Sequence, residues 1–184
     1  MATVDPLITA EQYALMPDNG QPTELVRGRI VTMNMPYPRH GYFCGRISRL
    51  LGNYVERNDL GRIMTNDSGI VTERGPDSVR GADVAFFSYT RLPKGPLPKG
   101  YFPVVPELII EILSPSDCWK EVLHKVGEYL AAGVNVVGVL DPDRETLRFF
   151  RGDQPPEELT GDEEFTLPDI LGDFRVRVRE FLEE

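Results

Sequence analysis

The sequence predicts an α/β (α+β) fold, a mixed β-sheet flanked by helices. Short apolar runs readable as strands both precede and follow two longer stretches in which apolar residues recur at helical spacing. The chain has 184 residues and 41% hydrophobic content, enough to enclose one core but short for two. A single domain over residues 1–184 is therefore expected.

The elements follow in order. "TAEQYALM" predicts a short helix, with Thr9 as N-cap and Gln12 three residues on to complete a capping box. "TELVRGRIVTMN", residues 23–34, predicts a hairpin turning near Arg27-Gly28. From Arg39 to Asp59 the residues Phe43, Ile47, Leu50, Leu51, Tyr54 and Val55 trace one face of a long helix, with Gly61 as its stop. "RIMTNDSGIVTE" and "VRGADVAFFS" read as strands, and the proline-rich "TRLPKGPLPKGYFP" as a loop. A strand in "VPELIIEILSPSD" leads to a second helix from about Asp117, with Ser116 as candidate N-cap and Trp119, Val122, Val126 and Tyr129 on one face. Gly133 closes it. "NVVGVLDP" and "TLRFFRG" are core strands joined by a turn at 141–144, and "FRVRVREFL" reads as a strand or a short helix.

The net charge of −9 argues against a broadly basic surface, but it is unevenly spread. Residues 1–100 carry 12 Lys and Arg against 10 Asp and Glu, whereas residues 101–184 carry 8 against 19. The acid concentrates in residues 152–169, expected to be a solvated loop or hairpin, and Arg27, Arg29, Arg39, Arg46, Arg49 and Arg57 leave the N-terminal half able to meet a phosphate backbone. No basic segment followed by an apolar run opens the chain, and about 18 consecutive apolar residues occur nowhere. With only two cysteines, Cys44 and Cys118, the expected compartment is the reducing cytoplasm and both are read as thiols.

Glu111 stands inside the apolar run Ile109-Ile110-Glu111-Ile112-Leu113. In a strand Glu107, Ile109, Glu111 and Leu113 share one face, so that face is either wet or carries a site. A buried carboxylate needs a partner or a cation. Asp83 stands just before another apolar strand segment, and if the two strands are neighbours the two acids converge. Oxygen ligands of this kind suit Mg²⁺ or Mn²⁺, with a phosphate completing the shell, which points to phosphoryl chemistry. Lys125, two turns into the second helix, can reach back toward Glu111, or else pair with Glu121 and Glu128 on the helix surface. His40 and Cys44 are spaced i, i+4, but two ligands without a third are a poor zinc signal; His40 is read as approaching substrate phosphate, beside Arg39. No Walker-type glycine loop and no Gly-x-Ser-x-Gly elbow occurs, which sets aside nucleoside-triphosphate hydrolysis and acyl transfer. A glycosidase reading of the two acids ranks behind phosphoryl chemistry, because their separation is not legible in a sequence.

Over most of its length, in "TELVRGRIV", "PRHGYFCGRISRLLGNYV", "RGADVAFFS", "VPELIIEILSPSD" and "KVGEYLAAGVNVVGVLDPDRETLRFFR", the chain resembles the Uma-type family of restriction endonucleases within the PD-(D/E)XK nuclease superfamily. The resemblance implies a restriction-endonuclease-like core and a metal-dependent endonuclease. Asp83 and Glu111 would hold one or two Mg²⁺ ions, Lys125 would assist, and Glu24 would be an additional carboxylate. The superfamily's Pro-Asp is Ala82-Asp83 here, and its lysine two residues past the glutamate is replaced by Leu113; the Uma-type pattern resembles one in which a lysine from the following helix takes over, a place that Lys125 fits. The implied substrate is nucleic acid, double-stranded DNA in the first instance, cut by a homodimer whose two symmetric sites address antiparallel strands. The competing expectation is a catalytically silent nuclease fold that binds nucleic acid or a protein partner.

Overall fold

The computed structural model describes residues 6–17, 20–152 and 154–184. The N-terminal residues 1–5, and Asp153 within the acidic 152–169 segment, lie outside the described residues.

The short helix α1 (Ala10–Ala14) begins at a full capping box, Thr9 accepting from the Gln12 amide while the Gln12 side chain accepts from the Thr9 amide. β1 (Thr23–Val26) and β2 (Arg29–Thr32) form the expected hairpin. Arg27 and Gly28 both take positive φ, 47° and 74°, which matches the right-handed strand twist in a two-residue turn. Gly28 is required on a second count, since a Cβ there would lie 2.7 Å from that of Leu7.

α2 (Pro38–Arg57) starts on a proline at its first turn and buries Phe43, Ile47, Leu51 and Val55, one residue per turn. Leu50 and Tyr54 flank that stripe and are only partly buried. The expected stop at Gly61 is corrected: Asp59, at φ 54°, turns the chain, and Gly61 already belongs to β3. There a Cβ would fall 2.1 Å from the Phe87 carbonyl oxygen, so this glycine serves strand packing.

β3 (Gly61–Glu73) and β4 (Ser78–Ser88) are long antiparallel neighbours, and β5 (Leu108–Ile112) pairs with β4. α3 (Trp119–Ala131) then carries the chain to β6 (Val136–Asp141), parallel to β5, after which β7 (Thr146–Phe150) and β8 (Glu157–Thr160) add antiparallel strands. The sheet runs β2-β1-β4-β5-β6-β7-β8, with β3 also on β4. α3 begins at Trp119 with Cys118 in the cap position, rather than at Asp117 behind Ser116. The Asp117 carboxylate instead accepts from the Ser114 amide, closing the preceding turn. The acidic segment contains β8, and the C-terminus is both a strand and a helix. β9 (Glu164–Phe165), α4 (Pro168–Leu171), β10 (Val176–Arg177) and α5 (Val178–Leu182) fold back beneath α2, β9 pairing with β10.

Two cores result. On one face of the sheet α2 and the C-terminal segment enclose Val84, Phe86, Ile110, Ile112, Leu140, Phe149, Phe165 and Phe181. On the other, α3 packs Val126 and Tyr129 on Ala85, Ile109, Val137 and Val139, with Trp119 and Val122 at the margin. All five residues of β5 are buried, so neither of its faces is wet. Among the described residues no helix is long and apolar enough to cross a membrane.

Candidate active site

The β4–β5 register brings the two acids together. Val84 faces Ile110 and Ala85 faces Ile109, so one further step sets Asp83 opposite Glu111. Directly opposed residues of an antiparallel pair point to the same side of the sheet. Both side chains are nearly buried, Asp83 at 6% and Glu111 at 8% exposure. Asp83 Oδ2 accepts from the Ile112 amide at 2.7 Å, which ties it to β5 where the ladder ends, and lies 3.2 Å from His40 Nε2.

α3 lies over this end of the sheet, and its inward face carries Lys125 and, one turn later, Tyr129. Lys125 does not join Glu121 on the surface: Nζ donates to Glu111 Oε2 at 2.8 Å and lies 3.5 Å from Glu24 Oε1. Burial alone would lower the Lys125 ammonium, but Glu111, Glu24 and Asp83 outweigh it and hold its pKa above the ordinary lysine value. Glu111 moves the other way. Burial is the main cause and Asp83 adds to it, so that despite Lys125 its carboxyl is pushed up to about 7.

Glu24 lies inside β1. Its carboxylate is held on both oxygens, by the Gly81 amide at 2.9 Å and by Arg80 at 2.8 Å. Arg80 in turn grips Glu128 on α3, so β1, β4 and α3 are tied by one buried ionic chain. The Tyr129 hydroxyl, fully buried, gives its proton to the Gly81 carbonyl at 3.0 Å. One oxygen is left over. The Tyr129 hydroxyl is also close to Glu111, but with its one proton given to Gly81 it leaves Glu111 Oε1 buried without a donor.

These groups open on a cleft of about 580 Å³, whose acidic lining includes Glu24, Asp67, Asp83, Glu111, Asp117 and Glu121, against Lys125 and His40 as cationic side chains. Asp67 and Arg80 are absent from the sequence reading. Asp67 arrives through an irregularity in β3 between Thr65 and Ser68, where Asn66 and Asp67 both take positive φ. "TNDSG" in the middle of a strand was the available signal, a turn-forming cluster that marks a bulge. Gly81 makes room for it, since a Cβ there would stand 3.0 Å from that of Asp67. Burial and the neighbouring Asp83 raise the Asp67 carboxyl.

His40 reaches the cleft from the first turn of α2, but Arg39 does not. Arg39 is exposed, stacks over the Phe43 ring at 5.0 Å, and pairs with Asp143 and Glu184 beside a neighbouring cavity of about 460 Å³. The hydrogen bond to Asp83, reinforced by Cys44, holds the His40 imidazolium charged, its pKa raised to about 11.

The donor set suits a hard cation. Glu111 offers a buried, unused oxygen beside Asp83, and acid exceeds base around the cleft. Lys125 supplies a fixed positive charge at the same spot.

Against known proteins, residues 10–179 match the Uma2 family, described as "Putative restriction endonuclease". A solved structure from Anabaena variabilis, described as "a putative nuclease belonging to DUF820", superposes with a TM-score of 0.80 at 20% identity, covering 95% of this chain and 97% of that one. At that identity the likeness concerns the fold. No curated protein matches the sequence.

Proposed function

For a chain that belongs to the Uma2 family of restriction-endonuclease type, we propose that it hydrolyses phosphodiester bonds in DNA, with Asp83 and Glu111 as ligands for Mg²⁺ or Mn²⁺. The observation that carries the reading is the unpartnered, buried Oε1 of Glu111 beside Asp83. An orphaned carboxylate oxygen costs free energy that a divalent ion recovers. When bound, such an ion supplies Lewis-acid polarisation of the phosphate and a lowered pKa for bound water.

The protein's own groups do the rest. Asp83 is held by the Ile112 amide and His40, so its carboxylate is oriented before any ligand arrives. Lys125 Nζ, anchored by Glu111 and Glu24, presents a charged donor to a phosphate oxygen or to the attacking water. It thereby takes the place of the lysine missing at Leu113. Arg80 and the Gly81 amide hold the Glu24 carboxylate in place, which makes Glu24 a positioning group for Lys125 more than a free ligand. His40 adds positive charge at the cleft entrance. The substrate is double-stranded DNA and the working form a homodimer, two symmetric sites serving antiparallel strands.

The test is a plasmid-nicking assay with Mg²⁺ or Mn²⁺ on wild type, Asp83→Ala and Glu111→Gln, with circular dichroism to verify folding. Nicking is expected in wild type and a loss of at least about a hundredfold in each variant. Equal cleavage by all three, or none by a folded wild type across metals and DNA forms, sinks the assignment. The second result would leave a silent nuclease fold that binds nucleic acid or a partner.

A further inference from the structure

Cys44 enters the site above only through its contact with His40. It lies one turn beyond His40 on the same face of α2, its Sγ 3.5 Å from His40 Nδ1, while the other ring nitrogen faces Asp83 at 3.2 Å. Taken with one nitrogen of His40 and one oxygen of Asp83, the sulfur belongs to a set of ligand atoms all within 4.8 Å of one another. Among the described residues no other group of three such side chains converges in this way. The sequence supplies two of these ligands at i, i+4; the fold brings the third from β4.

We infer that His40, Cys44 and Asp83 form a second metal site, selective for a soft or borderline divalent ion such as Zn²⁺ or Co²⁺ and distinct in ligand set from the oxygen-only site of Asp83 and Glu111. Three observations support the assignment. Imidazole and thiolate are ligands that Mg²⁺ avoids and Zn²⁺ prefers. The i, i+4 spacing on a helix sets two side chains on one face, as in helical zinc-binding motifs. Asp83 is already oriented by the Ile112 amide, which acts as the outer support that ligating carboxylates require.

Ligand atoms around a tetrahedral zinc lie about 3.5 Å apart, so the set must close from within 4.8 Å, with Cys44 and Asp83 drawn from opposite nitrogens of the His40 ring toward one ion. On loading, the His40 imidazolium loses the proton of the nitrogen that takes up the ion, together with that nitrogen's present contact, and the Cys44 thiol loses its own proton; both protons pass to solvent. Three protein ligands leave a fourth place for water or for Asp67, which lines the same cleft as His40 and Asp83.

The two sites share Asp83, so they compete. A soft ion draws an Asp83 oxygen away from the hard ion, and Zn²⁺ is therefore an inhibitor of the Mg²⁺-supported reaction. That consequence rests on the nuclease reading; the site itself does not.

The test is Co²⁺ titration of the full-length protein followed by absorption, in wild type, Cys44→Ser, His40→Ala and Cys118→Ser, each checked for fold by circular dichroism. Wild type and Cys118→Ser are expected to show one equivalent of Co²⁺ with a thiolate-to-cobalt charge-transfer band, displaced by Zn²⁺ and not by excess Mg²⁺. Cys44→Ser loses the band, and His40→Ala weakens binding at least about tenfold. Should Cys44→Ser not fold, the His40→Ala and Cys118→Ser arms still decide. No charge-transfer band in wild type, a band that survives in folded Cys44→Ser, unchanged affinity in folded His40→Ala, or loss in folded Cys118→Ser overturns the site. None of these readouts involves cleavage, so they fail independently of the nuclease proposal.

Discussion

The two faces of the central sheet are built on opposite principles. Under α2 the face is closed and apolar: Phe43, Ile47, Leu51 and Val55 sit on Val84, Phe86, Ile110 and Ile112, and Phe165 stacks with Phe149 at 5.1 Å and packs on Phe174 and Phe181. Under α3 a largely buried patch carries Glu24, Arg80, Glu111, Lys125 and Glu128 in one ionic network, with Asp83, paired to His40, beside it. Burying a large apolar side chain stabilises by about 1.5–3 kcal/mol, whereas a buried ion pair is often no better than a hydrophobic pair of the same shape. The first face explains why the chain folds. The second is an arrangement that stability alone does not select, and it is the one beside the cleft.

The largest effect that would break this contrast lies on the apolar face. Phe165→Ala removes a fully buried ring from the centre of an aromatic cluster and is expected to cost about 3–5 kcal/mol in urea unfolding. A loss below about 1 kcal/mol would show that the C-terminal segment is not part of the load of that core.

The charged face should respond to pH where the apolar face does not. The Glu111 carboxyl is raised from its ordinary 4.5 to about 7, chiefly by burial. For such an acid the folded state holds the proton more tightly than the unfolded one. Its stabilising contribution is complete below about 4.5 and is lost as pH rises through about 7. Lys125→Met removes the countercharge and raises Glu111 further, so the variant is expected to lose about 3 kcal/mol at pH 8 and much less at pH 5.5. An equal loss at both pH values would mean that Lys125 contributes packing and not charge.

Much of the frame is legible in the sequence because local rules set it. The hairpin turn at Arg27-Gly28, the apolar stripe of α2 and the Thr9-Gln12 box depend on residues within a few positions of one another. The convergence of Asp83 and Glu111 is legible only as a condition, that β4 and β5 be neighbours; the register then satisfies it. What stays hidden depends on distant chain. Alternation alone leaves Glu111 on a wet or a buried face, and only the seating of α3 over β5 decides for burial. The direction of Lys125 is decided by that same seating. Five carboxylates are buried among the described residues, and the sequence does not tell their roles apart. Asp77 and Asp141 satisfy turn amides, Asp77 from Ala10 and Gly75 and Asp141 from Asp143 and Arg144. Asp83 and Glu24 are also bonded, but Glu111 keeps an oxygen with no partner. Its environment, not its residue type, marks it out.

A divalent ion bound at that oxygen stabilises the folded chain by mass action. The direct measurement is the unfolding temperature of wild type and Glu111→Gln with and without millimolar Mg²⁺ or Mn²⁺, at pH 8 and after removal of adventitious metal by chelation. Wild type is expected to rise by several degrees on adding the ion, and Glu111→Gln, folded and otherwise stable, is not. The same rise in both proteins, or no rise in wild type with either ion, would contradict binding at Glu111.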